Sequence, residues 1–300
     1  MEAVGGLYRV RTDDGRDVQA VLRGKLKRGT RTGGRVVPGD RVRVSRFRGP
    51  GDQAIESVMP RENALVRAGP GGRRPKVVVA NVGRAVVVMT ALDPPFRREI
   101  ADRFLALAES CRIPPLLVLN KADLPGSAAI IATEAAVYRS IGYTVLAMSA
   151  VTGEGIGELA GLLTGRVSSL VGVSGVGKTS LLNLLAPGHQ LRTQPLSRVG
   201  RGRQTTVGVR LIPLGAGGWV ADTPGFSDIA LWGIDPRHLS GSFPEFEEPA
   251  ESCRFSGCSH LHEPGCGVRA ALETARIPRS RYDSYRALWE EIEGRAPSYD

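Results

Sequence analysis

Gly172-Val173-Ser174-Gly175-Val176-Gly177-Lys178-Thr179 fits G-x-x-x-x-G-K-[ST], a loop whose backbone N–H groups cradle nucleotide phosphates. Before it, Arg166-Val167-Ser168-Ser169-Leu170-Val171 is short, apolar and β-rich. After it, Ser180-Leu181-Leu182-Asn183-Leu184-Leu185 has helical character. Strand, glycine loop, helix is the context the motif needs, and a glycine-rich turn with an incidental lysine would not need it. About fifty residues earlier stands Asn120-Lys121-Ala122-Asp123, after the apolar run Pro115-Leu116-Leu117-Val118-Leu119. That places it at the carboxyl end of a predicted parallel strand, where ligand sites of α/β sheets lie.

Two further motifs complete the set. Gly218-Trp219-Val220-Ala221 leads into Asp222-Thr223-Pro224-Gly225, a D-x-x-G at a strand end. An aspartate there can hold the water shell of a phosphate-bound Mg²⁺, and the glycine N–H can meet a γ-phosphate. Tyr143-Thr144-Val145-Leu146-Ala147-Met148 reads as a strand delivering Ser149-Ala150, a turn that can offer a backbone N–H to guanine O6. The Asp123 carboxylate can accept from guanine N1–H and the 2-amino group. Adenine lacks that donor pair and leaves the carboxylate unpaired. Asn120 can reach N7 and hold its loop, and the Lys121 stem can lie over the base. Lys178 neutralises β- and γ-phosphate charge, and the Thr179 hydroxyl ligates Mg²⁺. All four motifs at strand ends, in one cyclic order, specify a guanine nucleotide site. The order is rotated, because ordinary GTPases carry the Asn-Lys-x-Asp motif well after the phosphate loop.

Two alternatives belong to other classes. A P-loop kinase or ATPase would lack the guanine reader, so Asp123 discriminates against it. A nucleotide-gated RNA-binding module without useful hydrolysis is the other, since Phe226 follows the D-x-x-G where Ras-like enzymes carry a water-orienting Gln.

The 300 residues suit two or three domains. No apolar run approaches the ~18–20 residues of a membrane span, and no signal-peptide pattern opens the chain. The expectation is a soluble, cytoplasmic monomer. Residues 1–76 hold 18 Lys/Arg against 8 Asp/Glu, which accounts for the whole net charge of +10. Arg23, Lys25, Lys27, Arg28, Arg31 and Arg35 cluster there, followed by Arg41, Arg43, Arg46 and Arg48. Such a localised excess is the footprint of a polyanion partner; the bland reading is a solubilising face. The same segment reads as short strands: Leu7–Thr12, a turn at Asp13-Asp14-Gly15, Val18–Leu22, Arg41–Val44 and Ala54–Val58. That pattern suits an OB-like barrel, and an SH3-like barrel fits nearly as well. With only Tyr8 and Phe47 as aromatics, binding would rest on phosphate and RNA shape more than on base stacking.

The expected organisation is a barrel over 1–66, an Arg/Gly/Pro-rich linker over 67–75, an α/β domain with a mostly parallel sheet over 76–231, and a helical domain over 232–300. Val77–Ala80 and Ala85–Met89 are buried-strand candidates, and Arg97–Arg112 has helical spacing. Residues 187–207 carry Arg192, Arg198, Arg201 and Arg203 without an acid. Long structureless loops are functional or disordered, and this one stands where a γ-phosphate-sensing switch belongs. Gly202-Arg203-Gln204-Thr205-Thr206 ends it, and either threonine hydroxyl can complete the Mg²⁺ shell. Near the carboxyl end, Cys253-x4-Cys258-x-His260-x5-Cys266 offers three thiolates and an imidazole. Four such donors suit one closed, structural Zn²⁺, with His262 the second choice of imidazole. The flanking helices, Val268–Ala275 and Ser280–Ile292, have little core of their own and would use the metal as a staple. Cys111 reads as a core residue.

In this order, NKAD, Ser-Ala, GVSGVGKTS, Gly-x-x-Thr-Thr, DTPG and C-x4-C-x-H-x5-C, the chain resembles the bacterial RsgA/YjeQ family over almost its whole length. The resemblance implies a circularly permuted GTPase dependent on the small ribosomal subunit, acting in late maturation, with rRNA contacts by both flanking domains. It implies GTP binding by Asn120, Lys121, Ala122, Asp123, Ser149, Ala150 and Gly172 to Ser180 (Gly172, Val173, Ser174, Gly175, Val176, Gly177, Lys178, Thr179, Ser180). It implies Mg²⁺ at Thr179 and Asp222, and Zn²⁺ at Cys253, Cys258, His260 and Cys266. Catalytic roles fall to Lys178, Thr179, Thr205, Thr206, Asp222, Gly225 and Gln204. The last is a departure, since the family usually has His in Gly-x-His-Thr-Thr; glutamine can orient water but cannot act as a base at neutral pH. The permutation also ends the GTPase domain just after D-x-x-G. The zinc domain is thereby tethered to a switch, and γ-phosphate loss should reorient it, with ~1–3 kcal/mol of coupling.

Overall fold

The computed structural model describes residues 3–4, 7–23, 36–46, 53–67, 76–188, 209–222 and 235–294. The first strands are β1 (Ala3–Val4), β2 (Leu7–Arg11), β3 (Asp17–Leu22), β4 (Val42–Arg46) and β5 (Gln53–Val58), in the order β1-β2-β3-β5-β4. Every pairing is antiparallel except β3 with β5. Alternate residues point inward, burying Val10, Ala20, Leu22 and Ile55 in an OB-like barrel core. Lys25, Lys27, Arg28, Arg31, Arg35, Phe47 and Arg48 lie outside the described residues.

A hydrogen-bonded seam joins the barrel to the rest. β6 (Ala64–Arg67) and β7 (Lys76–Ala80) form an antiparallel ribbon on either side of the expected linker, of which 68–75 lie outside the described residues. Val77–Ala80 is therefore a strand, but of this ribbon and not of the parallel sheet. The Ala80 N–H donates to Pro38 O at 3.0 Å, and Asn81 Nδ2 donates to Gly39 O at 2.9 Å. Asn63 Oδ1 accepts from the Val82 N–H at 2.8 Å, and Leu65 is buried in the central core. Asp40, 5% exposed, is paired with Arg61 at 2.7 Å.

The central sheet comprises β8 (Arg84–Thr90), β9 (Pro115–Asn120), β10 (Val145–Ala147), β11 (Val167–Val171), β12 (Arg210–Pro213) and β13 (Trp219–Asp222). Its order is β10-β9-β8-β11-β13-β12, parallel throughout except for β12, an antiparallel edge strand. Strands buried on both faces read as continuous apolar runs, as Val86–Val88 and Leu116–Val118 do. One face is covered by α1 (Arg98–Ser110) and α2 (Ser127–Ser140), through Phe104, Leu105, Ile131 and Tyr138. The other is covered by α3 (Ile156–Leu163) and α4 (Lys178–Leu185), through Leu159, Leu163, Leu181 and Leu182.

Beyond two short 3-10 turns (Pro236–Ser242, Pro244–Phe246) lie α5 (Glu247–Ala250), α6 (Gly267–Glu273) and α7 (Arg279–Glu293). Their core is not self-contained: Phe243, Phe246, Tyr285 and Leu288 pack with Ala106 and Leu107 of α1. Arg281 of α7, fully buried, donates to Asp102 Oδ1 of α1 at 2.6 Å and to Glu245 Oε1 at 2.6 Å. Its guanidinium lies 4.5 Å over the Phe243 ring, and the Tyr138 hydroxyl donates to the same Asp102 oxygen at 2.8 Å. Burial opposes the charge on Arg281, but the Asp102 and Glu245 carboxylates outweigh it and hold the guanidinium pKa up. The carboxyl-terminal helices thus borrow both core and counter-charge from α1, beyond any metal staple. Cys111, after α1, is half-buried. Among the described residues, no helix is long and apolar enough to cross a membrane.

Candidate functional site

Because β8, β9, β10, β11 and β13 are parallel, their carboxyl ends share one edge of the sheet. Asn120 ends β9, the Ser149-Ala150 turn follows β10, the phosphate loop follows β11, and Asp222 ends β13. The loop runs from β11 into α4, whose N-cap is Gly177 with φ 92°. A Cβ at Gly177 would stand 2.4 Å from Asn120 Nδ2, and one at Gly172 would stand 2.3 Å from Val88 O. Both glycines are required by close approach as well as by backbone conformation.

Asn120 joins three motifs. Its amide, 1% exposed, donates from Nδ2 to Val176 O at 2.8 Å, and its Oδ1 accepts from the Ala150 N–H at 3.1 Å. It therefore fastens the phosphate loop to the Ser-Ala turn, and its contribution to the site is this bridge. Of the two N–H groups of the turn expected to meet guanine O6, that of Ala150 is engaged by Asn120 and that of Ser149 donates to Glu154 O at 3.1 Å. The Asp123 carboxylate is exposed, and its Oδ1 accepts from the Ser149 hydroxyl. Ser149 in turn accepts from the Val151 and Thr152 N–H groups, each at 3.1 Å, so the hydroxyl that orients Asp123 is itself fixed.

Lys121, with φ 62°, reaches across the site to donate to Asp93 O at 2.6 Å and Asp93 Oδ2 at 3.2 Å. The loop carrying Asp93 is held by Thr90, whose hydroxyl donates to Pro94 O at 2.6 Å. Asp93, Thr90 and Glu154 were not singled out from the sequence, because nothing local marks a loop residue that meets a lysine 28 positions on.

Lys178 folds back into its own loop, donating to Gly172 O and Val173 O at 2.7 Å each. Burial lowers its pKa to about 8. Thr179 and Ser180 occupy the first turn of α4, half-buried, and Ser174 and Gly175 are exposed. Gln204, Thr205, Thr206, Gly225, Phe226 and the arginines Arg192, Arg198, Arg201 and Arg203 lie outside the described residues.

The Lys178 shift has a signed consequence. Phosphate favours the ammonium form and raises its pKa in the complex, so binding takes up a proton once the free lysine begins to deprotonate. GTP affinity is therefore expected to hold well below pH 8, to be about halved at pH 8 and to fall about fivefold more from pH 8 to pH 9. Calorimetry in buffers of different ionisation enthalpy should show this proton uptake at pH 9 and none at pH 6.5.

A second site lies in the carboxyl-terminal helices. The donor atoms of Cys253, Cys258, His260 and Cys266 all lie within 4.8 Å of one another, a cluster that can hold a metal ion. His260 Nδ1 is 3.6 Å from Cys253 Sγ and 3.5 Å from Cys266 Sγ, and the two sulfurs are 4.0 Å apart. Tetrahedral ligation with metal–sulfur bonds of about 2.3 Å and metal–nitrogen bonds of about 2.0–2.1 Å requires such edges. His262 is not in the cluster. Backbone N–H groups of Gly267 and Arg269 donate to Cys253 Sγ and Cys266 Sγ at 3.3 and 3.5 Å, the support that thiolates need. The His260 carbonyl is held by the Tyr282 hydroxyl at 2.8 Å, which ties the ligand loop to α7.

A family model described as RsgA GTPase matches residues 58–232. The chain belongs to the RsgA GTPase family. It is a circularly permuted GTPase, with its motifs in rotated order along the chain. The small ribosomal subunit biogenesis GTPase RsgA of Gemmatimonas aurantiaca is 41% identical over 302 residues, covering 99% of this chain and 97% of that protein. The protein of the same name from Moorella thermoacetica is 42% identical over 296 residues, covering 98% and 97%. Among solved structures, YjeQ from Thermotoga maritima superposes with a TM-score of 0.83 at 34% identity, covering 98% of this chain and 97% of that one. YloQ, described as a circularly permuted GTPase, superposes with a TM-score of 0.79 at 30% identity, covering 99% and 95%.

Proposed function

We propose that this RsgA-family GTPase binds the small ribosomal subunit and hydrolyses GTP during late maturation of that subunit, with turnover stimulated by it. The Asn120 bridge carries this reading: one buried amide locks the guanine-reading turn to the phosphate loop. Base recognition and phosphate binding are thereby a single unit. Asp123 selects guanine and Lys178 meets the phosphates, while Thr179 and Asp222 would hold the Mg²⁺ that comes with the nucleotide, which would supply charge neutralisation on the phosphates. In the subunit-bound state Gln204 would orient the attacking water, Thr205 or Thr206 would complete the Mg²⁺ shell and Gly225 would meet the γ-phosphate. Gln204→Ala should then abolish stimulation while leaving GTP affinity intact; full stimulated turnover in that variant would remove Gln204 from the mechanism.

The three-part division over 1–66, 76–231 and 232–300 gives each part a role, with the basic barrel and the metal-bearing helices flanking the nucleotide domain on the rRNA. The protein works as a cytoplasmic monomer. Nucleotide state is read out through the zinc-bearing segment, so the GTP-analogue form should bind subunits more tightly than the GDP form by ~1–3 kcal/mol. Co-sedimentation with purified subunits tests this, and equal affinity of the two forms would contradict it.

The metal is Zn²⁺, one per chain, because three thiolates and an imidazole form a closed soft site with no open position. Elemental analysis should find about one zinc per chain. Chelation is expected to melt the carboxyl-terminal helices while GTP binding survives, since α1 and the central sheet keep their own core. Helical signal unchanged after complete removal of zinc would show that the metal is not a staple.

A further inference from the structure

The amino-terminal edge of the central sheet, opposite the nucleotide, carries a charge arrangement that GTP chemistry does not use. Arg84 opens β8 and pairs in register with Ser168 of β11, and Arg166 immediately precedes β11. The two arginines are close neighbours: a Cβ built at Gly83 would lie 3.3 Å from Arg166 Cβ. Arg166 is exposed and Arg84 half-buried. Neither has a carboxylate partner among the described residues, and the Arg84 Nε and the Ser168 hydroxyl are buried without a hydrogen-bond partner there. Burial first, and then repulsion from Arg166, lower the pKa of Arg84. Two guanidinium groups this close repel each other, and an anion bound at their accessible ends would relieve that repulsion.

The same edge meets the barrel. Trp219 opens β13, on the other side of β11 from Arg84, and the Arg11 guanidinium lies 5.3 Å from its ring centroid. Arg9 and Arg11 share one carboxylate, Asp17. Cationic surface from the barrel therefore continues onto the nucleotide domain at this edge.

We propose that Arg84 and Arg166 form a phosphate subsite for the RNA backbone, completing on the nucleotide domain the basic face that begins on the barrel. The proposal rests on the small-subunit reading above. A fork of guanidinium donors suits a phosphodiester, and each phosphate neutralised steepens the salt dependence of binding by about 0.7–0.9 in log–log slope.

The test is binding of the full-length Arg84→Gln/Arg166→Gln protein to small subunits, and separately to protein-free small-subunit rRNA, across a salt series. The expected result is a slope shallower by roughly 1–2 and an affinity at least about tenfold weaker at low salt, with GTP affinity unchanged. Arg84→Lys/Arg166→Lys should recover most of the slope. An unchanged slope and affinity in the Gln variant overturn the subsite. Wild-type protein that ignores the subunit overturns the small-subunit reading instead. The rRNA arm then decides the subsite alone: loss of slope in the Gln variant supports it, and no change rejects it. Inorganic phosphate that raises the melting temperature of the wild type alone, with RNA slopes equal, would reassign the pair to a free anion and also overturn the proposal.

Discussion

Asp123→Asn is expected to cost GTP affinity about 10²–10⁴-fold and to shift preference toward xanthine nucleotides. In the proposed site the carboxylate would accept from guanine N1–H and the 2-amino group, and charged hydrogen bonds of this kind are worth about 1.5–3 kcal/mol each. An amide keeps one acceptor but turns its NH₂ toward the 2-amino group, donor against donor. Xanthine presents a carbonyl there, so the amide regains a partner. The effect should be specific because the rest of the site stays built: Ser149 is fixed by the Val151 and Thr152 N–H groups, independent of the side chain at 123. Competition of labelled GTP by unlabelled XTP and GTP measures the switch directly. Undiminished GTP preference in the variant would mean that Asp123 does not read the base.

The second large effect concerns Arg281. Arg281→Ala removes, among the described residues, the one ion-pair partner of the buried Glu245 carboxylate and one of two hydrogen-bond partners of the buried Asp102 carboxylate. Breaking a buried ion pair from one side leaves uncompensated charge and costs about 3–5 kcal/mol. The carboxyl-terminal helices should then unfold in a separate, earlier transition, because their core is shared with Ala106 and Leu107 of α1. Neutralising the set together, with Arg281→Met, Asp102→Asn and Glu245→Gln, should recover much of the loss. Denaturant titration followed by far-UV circular dichroism and by GTP binding would separate the two transitions. A single coincident transition at wild-type stability in Arg281→Ala would show that the joint contributes nothing. Any movement of the helices that carry the Cys/His cluster must take α1 with it or break this network.

What was legible in the sequence was local. The phosphate loop, the guanine motif, D-x-x-G and the Cys/His cluster each occupy a few consecutive residues whose spacing is imposed by the ligand's shape. Their placement at parallel strand ends followed from the apolar runs before them, and the cyclic order pointed to the permutation. The joints between parts were not legible. Arg281 stands in a polar helix and meets an aspartate 179 residues away, so its pattern reads as a solvated position. Asn63 and Asn81 look like ordinary loop residues, yet they hold the barrel seam. Val77–Ala80 has the β-branched run of a buried parallel strand, and only the partner strand Ala64–Arg67 reveals a ribbon. The edge strand Arg210–Pro213 is too short and mixed to announce itself. Long-range polar pairs leave no periodic trace, whereas ligand-shaped motifs do.

We infer a guanine-specific GTPase that works on the small ribosomal subunit. Hydrolysis of GTP and of ATP by the purified protein, each with and without small subunits, tests it most directly. Turnover of GTP should rise sharply when subunits are added, and turnover of ATP should be negligible under either condition. Equal hydrolysis of ATP, or GTP turnover unchanged by the subunit, would contradict it.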